Sequence, residues 1–284
     1  MTPPKCSTAS IEAGESLAAT ALEAVDSWFL LEVTDPWAPK PLESEAFSES
    51  VRDRLALWSQ RPRSRLQLIR RPGRSGKRPL LMVVSSAPDR RGGAIRELDR
   101  YEDILDIDLD ALGLEPIEPI CLVCAHGRRD RCCGLLGSAV FRAIQAEQVD
   151  VWQTSHLGGH RFAACALWLP QGSMHGRLRP KHASAFVAAQ KAAELGDLDL
   201  FRGNCAYDRP TQAAEILLRR ELDNLGVDAV EWKSTTQVDE SSWEARFNVA
   251  SMGHAVRVRM NDTGLASPQS CGKPPEPITE FVAG

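Results

Sequence analysis

Cys121-Leu-Val-Cys124-Ala-His126-Gly-Arg128-Arg129-Asp130-Arg131-Cys132-Cys133-Gly134, followed by Ser155-His156-Leu-Gly-Gly-His160-Arg161-Phe162, is the stretch on which the reading turns. It packs four of the chain's eight cysteines into thirteen residues and follows them with two histidines four residues apart. Clustered thiols in a chain without a disulfide-rich composition read as metal binding or redox chemistry before they read as disulfides. Thiolate and imidazole together suit zinc, copper or an iron–sulfur cluster, and do not suit calcium or magnesium. His156 and His160 would share a helix face, but the intervening Leu-Gly-Gly favours a tight loop. Cys124 ends an apolar strand, and Cys133 precedes a helix whose N-terminal dipole favours a thiolate. Spacing alone does not choose between metals: a Cys₂His₂ set suits zinc as well as a [2Fe–2S] centre, and zinc is the commoner occupant.

Outward from this stretch, hydrophobic periodicity predicts the neighbouring elements. On the N-terminal side it predicts a short helix over Leu17–Val25 and a strand over Trp28–Val33. A helix over Ser48–Gln60 follows, with Val51, Leu55 and Trp58 on one face, then strands at Arg65–Ile69 and Leu80–Ser85 around the basic loop RRPGRSGKRP. A comparable order recurs: strand Pro119–Val123, helix Leu135–Gln148, strands Val149–Thr154 and Phe162–Leu169, and helix Lys181–Leu195. No sequence repeat joins the halves. A tail follows, with a helix over Thr211–Leu225, a hairpin of Trp243–Val249 and Ala255–Met260, and a Pro- and Gly-rich extended arm over 262–284. The expected division is 1–113, 114–200 and 201–284.

The charge of −4 argues against a nucleic-acid binder. No apolar run reaches the roughly 20 residues that span a bilayer, so no membrane partner is expected. The N-terminal residues lack the apolar centre of a secretory signal, and a cytoplasmic location is the expectation. Gly73-Arg-Ser-Gly-Lys77 lacks P-loop spacing, and no nicotinamide or flavin fingerprint is visible.

The run Cys124–Gly134, then Trp152-Gln-Thr-Ser-His156-Leu-Gly-Gly-His160-Arg-Phe and Leu169-Pro-Gln-Gly, resembles the sucrase/ferredoxin-like family. Further matches are TDPWAPK-PLESEAF at 34–47, FRG at 201–203, QAAE at 212–215 and SCGK at 270–273, so the resemblance spans nearly the whole chain. It implies an α/β (α+β) fold. The thioredoxin-like ferredoxin core would be preceded by a second β-α-β-β half and followed by a small α+β tail. It also implies one [2Fe–2S] cluster held by Cys124, Cys133, His156 and His160, with Cys132 or Cys121 open as substitutes for a cysteine. Two positions depart from the pattern: His175 stands where a tyrosine is expected, and Cys165 where a polar residue is. The word sucrase finds no support, because no carboxylate pair is recognisable and only two tyrosines are available as sugar platforms.

Imidazoles in place of two thiolates remove negative charge and raise the potential, as in Rieske centres. Ring nitrogens facing away from the iron would couple the electron to a proton. The expected protein is a one-electron carrier with a separate redox partner, more readily than an enzyme with its own substrate. The alternatives are a zinc-stabilised binding module and a thiol–disulfide enzyme using Cys121-Leu-Val-Cys124 or Cys132. Arg128, Arg129 and Arg131 suit either a docking rim or a solvated loop. Trp152 reads as core, His126 as a structural hydrogen-bonder, Arg161 and Arg177 as the rim of the site, and His182 and His254 as residues without a specific role.

Overall fold

A computed structural model describes residues 5–73 and 76–284, so Arg74 and Ser75 of the basic Gly73–Lys77 segment lie outside the described residues. Its strands are β1 (Ser27–Glu32), β2 (Ser64–Arg70), β3 (Leu80–Ser85), β4 (Gly92–Glu97), β5 (Ile120–Cys124), β6 (Val151–Thr154), β7 (Ala166–Leu169), β8 (Ser173–His175) and β9 (Phe201–Asn204). They form one mixed sheet in the order β4-β3-β1-β2-β6-β5-β7-β8-β9. Helices α1 (Cys6–Glu12), α2 (Glu49–Ser59), α3 (Arg131–Gln145), α4 (Ala183–Lys191) and α5 (Arg209–Leu222) accompany it. Four more strands, β10 (Glu231–Gln237), β11 (Ser242–Val249), β12 (Met252–Pro268) and β13 (Pro275–Ala283), make a separate antiparallel sheet in chain order. The fold is therefore α+β. No helix among the described residues is long and apolar enough to cross a membrane.

Eight of the nine strands of the large sheet form two copies of one topology, and β9 adds an edge strand beside β8. In each half a strand, a helix and a parallel strand (β1-α2-β2 and β5-α3-β6) precede two antiparallel strands, giving β4-β3-β1-β2 and β8-β7-β5-β6. The halves meet where β2 and β6 pair antiparallel over Ile69–Thr154 and Arg70–Gln153.

Strand periodicity sorts the core into layers. Trp28 and Leu30 of β1 join Met82, Leu122, Trp152 and Leu167 in a core shared by both halves. Phe29 and Leu31 face the other way, onto Val51, Leu55 and Trp58 of α2. In β5 the same alternation puts Leu122 and Cys124 in the shared core and Cys121 and Val123 against Val140, Phe141 and Ile144 of α3. Burying each such large apolar side chain stabilises the fold by about 1.5–3 kcal/mol. The second sheet packs Ala245, Phe247 and Val258 onto Ala213, Ala214 and Leu218 of α5.

Several sequence expectations need correction. Leu17–Val25 is not a helix: Ala19 and Ala24 have positive φ, and the segment is pinned by Thr20 and Val25 amides donating to the Arg202 and Cys205 carbonyls. Residues 275–283 of the expected arm are strand β13, which pairs with a β12 that runs eight residues past Met260. Helix α3 starts at Arg131 rather than Leu135, which puts Cys132 and Cys133 in its first turn instead of before it. Strand β7 starts at Ala166, because His160–Phe162 form a 3₁₀ turn. Helix α4 ends at Lys191, four residues short of the expected Leu195.

His175 lies fully buried between Phe186 and Phe201, with its Nε2 3.0 Å from the Leu195 carbonyl. Burial pushes its pKa down to about 4. The unfolded chain therefore takes up a proton near pH 6.5 that the native state refuses, and stability falls as pH drops from 6.5 towards 4. The loss should approach roughly 2–3 kcal/mol by pH 4. Urea unfolding at pH 7 and pH 4.5 should show a smaller difference for His175→Gln than for the parent; an unchanged difference would refute the assignment.

Candidate metal centre

The site forms where the C-terminal end of β5 meets the N-terminus of α3. Asp130 caps that helix, its carboxylate accepting the Cys132 amide at 2.8 Å. Burial works against the Asp130 anion, but the N–H groups of Cys271 and Cys132 outweigh it and hold the group below the usual carboxylate range. The helix then lies so close to β5 that a Cβ on Gly137 would sit 1.8 Å from the Cys124 carbonyl oxygen. Only glycine fits there, and this approach brings Cys133 onto Cys124.

The other half of the site is the loop after β6. Gly158 and Gly159 have φ of +88° and +67°, and a Cβ on Gly159 would meet the Arg202 guanidinium at 2.6 Å. Arg202 is buried and donates to the Gly158 carbonyl at 3.2 Å, while Arg65 donates to the His156 carbonyl at 3.2 Å. The loop is thereby shaped so that both imidazoles turn the same way. Their rings stack at 3.8 Å with 11° between the planes.

Donor atoms converge as a result. His156 Nδ1 lies 3.9 Å from Cys124 Sγ and 3.8 Å from Cys133 Sγ, and His160 Nδ1 lies 3.6 Å from Cys133 Sγ. The Cys124, Cys133 and His156 donors all fall within 4.8 Å of one another. A hydrogen bond from the Cys133 thiol, with help from His156, holds the Cys124 thiol well below its ordinary pKa, and the same contact raises that of Cys133. Burial, then the neighbouring His156, pushes His160 down to about 4. His160 is neutral at pH 7, the form in which an imidazole binds a metal.

Residues 19–203 match the family described as sucrase/ferredoxin-like. The chain belongs to that family. Altered inheritance of mitochondria protein 32 of Meyerozyma guilliermondii is 22% identical over 133 residues, covering 43% of this chain. The chain spans about half the length of that relative, 47% of it. No solved structure matches.

Other residues singled out in the sequence fall into place around the family's central motifs. Cys121 is on the opposite sheet face from Cys124, because an offset of three along a strand reverses the side chain. Cys132 points away from Cys133, towards Cys6 and Cys271. Arg161 and Arg177 do not rim the site: Arg161 pairs with Glu15 at 2.6 Å and Arg177 donates to the Ser10 hydroxyl and the Glu15 carbonyl, fastening the segment after α1. His126 is not the hydrogen-bonder expected: it packs edge-on to Trp37 at 5.7 Å, and both its ring nitrogens are buried without a hydrogen-bond partner among the described residues. Arg128, Arg129 and Arg131 are exposed beside the site. Trp152 is buried core. Sequence reading missed Gly137 and Arg65; a glycine inside an otherwise apolar helical stripe was the available signal.

Gly137→Ala should force α3 off β5, lowering stability by about 1–3 kcal/mol. Gly113→Ala, where nothing lies within 4 Å of the new methyl, is the control. Thermal unfolding of both variants checks this, and equal behaviour of the two would refute it.

Proposed function

We propose that this protein holds a redox-active [2Fe–2S] cluster on Cys124, Cys133, His156 and His160 and passes single electrons to and from a separate protein partner. The observation that carries the reading is the convergence of two buried thiols and two half-buried imidazoles in a member of a ferredoxin-like family. Two thiolates and two neutral imidazoles form a donor set that such a cluster accepts. All four residues belong to the half spanning 114–200. Its strand–helix–strand unit closed by antiparallel strands supports a thioredoxin-like reading, as does that of the first half.

When bound, the cluster would supply a one-electron couple at a potential raised by its imidazole ligands. The chain's own residues do the rest. Cys124 and Cys133 are fixed by β5 and α3 and offer thiolates in a helix N-terminal field. Leu157 and Phe162 are buried beneath the histidine loop and exclude water from the cysteine side. Nδ1 of each imidazole faces the sulfurs, so each histidine would bind through Nδ1 and leave Nε2 on the outer side. The exposed Arg128, Arg129 and Arg131 present a basic rim to which an acidic partner surface would dock.

A zinc-stabilised module is the second reading, and one observation favours it. Sulfur–nitrogen separations of 3.6–3.9 Å are close to the roughly 3.5 Å between donors on a single tetrahedral ion. A two-iron group needs the cysteine and histidine pairs farther apart, which requires the glycine loop to move outward. The dithiol-enzyme alternative loses its Cys121–Cys124 pair to the sheet, which puts the two thiols on opposite faces.

Protein purified without oxygen decides between the first two readings. Expected are a red-brown colour and two irons per chain, lost on alanine substitution of Cys124, Cys133, His156 or His160 and kept in Cys121→Ala and Cys132→Ser. A colourless protein with a single zinc lost from the same four variants would replace the cluster reading with the zinc one. The midpoint potential should fall as pH rises, since reduction takes up a proton; a potential flat from about pH 6 to 10 would remove the proton coupling.

A further inference from the structure

Beside those four donors, three further cysteines from the N-terminal, middle and C-terminal parts of the chain meet around Asp130, whose carboxylate also lies within 4.8 Å of the Cys133 and His160 donor atoms. Cys6 opens α1, Cys132 stands in the first turn of α3, and Cys271 lies in the turn between β12 and β13. Their sulfurs form a nearly equilateral triangle: 3.6 Å for Cys6–Cys132, 3.4 Å for Cys132–Cys271 and 3.5 Å for Cys271–Cys6. Asp130 closes the figure, with Oδ1 3.5 Å from the Cys271 sulfur and both carboxylate oxygens 3.9 Å from the Cys6 sulfur. Cys6, Cys132 and Asp130 are buried, and Cys271 is half-buried.

This is the donor arrangement of a tetrahedral ion. Sulfurs bound to zinc at about 2.3 Å stand about 3.8 Å apart, and a carboxylate oxygen stands about 3.5 Å from each. Three mutually equidistant thiols do not suit a disulfide, which joins two and strands the third. The carboxylate is oriented as a ligand's usually is, by hydrogen bonds behind it: from the Cys132 amide at 2.8 Å, the Cys271 amide at 3.0 Å and the Ser270 hydroxyl at 2.9 Å. The Ser7 hydroxyl donates to the Cys132 sulfur at 3.3 Å. Soft thiolates with one carboxylate select a borderline ion such as Zn²⁺ over Mg²⁺ or Ca²⁺.

We propose that Cys6, Cys132, Cys271 and Asp130 bind a structural Zn²⁺ that clamps both ends of the chain to the N-terminus of α3. Binding replaces the thiol protons, which leave to solvent, and changes no oxidation state. The four ligands close the coordination shell, as a structural site requires and a catalytic one does not. The proposal stands independently of what occupies the Cys124–His156 site.

The test is metal analysis of the full-length protein, purified without oxygen in reductant, alongside Cys6→Ser, Cys271→Ser and His156→Ala. One zinc per chain is expected in the parent and in His156→Ala, and none in the two serine variants, whose iron and visible absorbance remain. Zinc lost only from His156→Ala would overturn this proposal and the cluster reading together. Zinc content undiminished from the parent's in both serine variants, or no zinc in the parent after equilibration with ZnCl₂, would overturn this one alone. Should the serine variants not fold, Co²⁺ added to the metal-stripped parent replaces them: thiolate-to-cobalt charge-transfer absorption is expected. Its absence, or its presence only while the His156 site is free, refutes the clamp.

Discussion

Asp130 accepts the Cys132 amide and thereby fixes where α3 begins, and with it the rotation of a helix whose successive side chains diverge by about 100°. Cys132 and Cys133 are neighbours in sequence, yet this rotation sends one sulfur to Cys6 and Cys271 and the other to Cys124 and the histidines. A helix started one residue later would put Cys133 in the place of Cys132 and Cys132 in the exposed place of Arg131. The contact of Gly137 with the Cys124 carbonyl fixes the remaining degree of freedom, the distance between helix and strand. Cap and contact together convert a run of adjacent cysteines into two separate donor groups.

The sheet explains why the other half of the site is equally constrained. Cys124 ends β5 and Thr154 ends β6, and these parallel strands are paired residue for residue up to that point. Their following loops must therefore leave the sheet side by side. Loop 125–130 runs under α3, and loop 155–160 is held from the N-terminal half by Arg65 and from β9 by Arg202. Arg202 is buried and Arg65 half-buried, and burial lowers the pKa of each; the cost is offset by the loop carbonyls both bind and by the Cys165 sulfur that Arg202 binds. The histidine loop thus depends on the nine-stranded sheet being continuous, since Arg65 reaches it only across the β2–β6 junction.

What could be read from the sequence follows from which contacts are local. Strands β1 and β3 and helix α2 announce themselves by apolar runs and a three-to-four-residue spacing, because a core lies on their faces. Strands β8 and β9 are three and four residues long, too short for a period to show, and β4 opens with two glycines. Strand β13 carries prolines at 275 and 277 and reads as an arm; an edge strand tolerates them because its outer amides have no ladder partner to lose. Cys124, Cys133, His156 and His160 were legible as a group because one βαβ unit contains them all. Cys6 and Cys271 are 265 residues apart and meet only through the packing of α1 and the second sheet, which no local pattern encodes.

Charge links the two donor groups through the helix they share. Three thiolates and a carboxylate around the proposed divalent ion would leave a net negative centre beside Cys133, and a neighbouring group held by four thiolates would add like charge across a few ångströms. Imidazoles at His156 and His160 in place of two thiolates would lessen that repulsion, and the N-terminal dipole of α3 would offset part of what remains. The same imidazoles lie in the more exposed part of the site, on a loop whose glycines can adjust to the size of what is bound, while the cysteines sit on rigid elements. The division of labour between fixed thiolates and adaptable histidines is thus a consequence of where a strand end, a helix start and a glycine loop happen to adjoin.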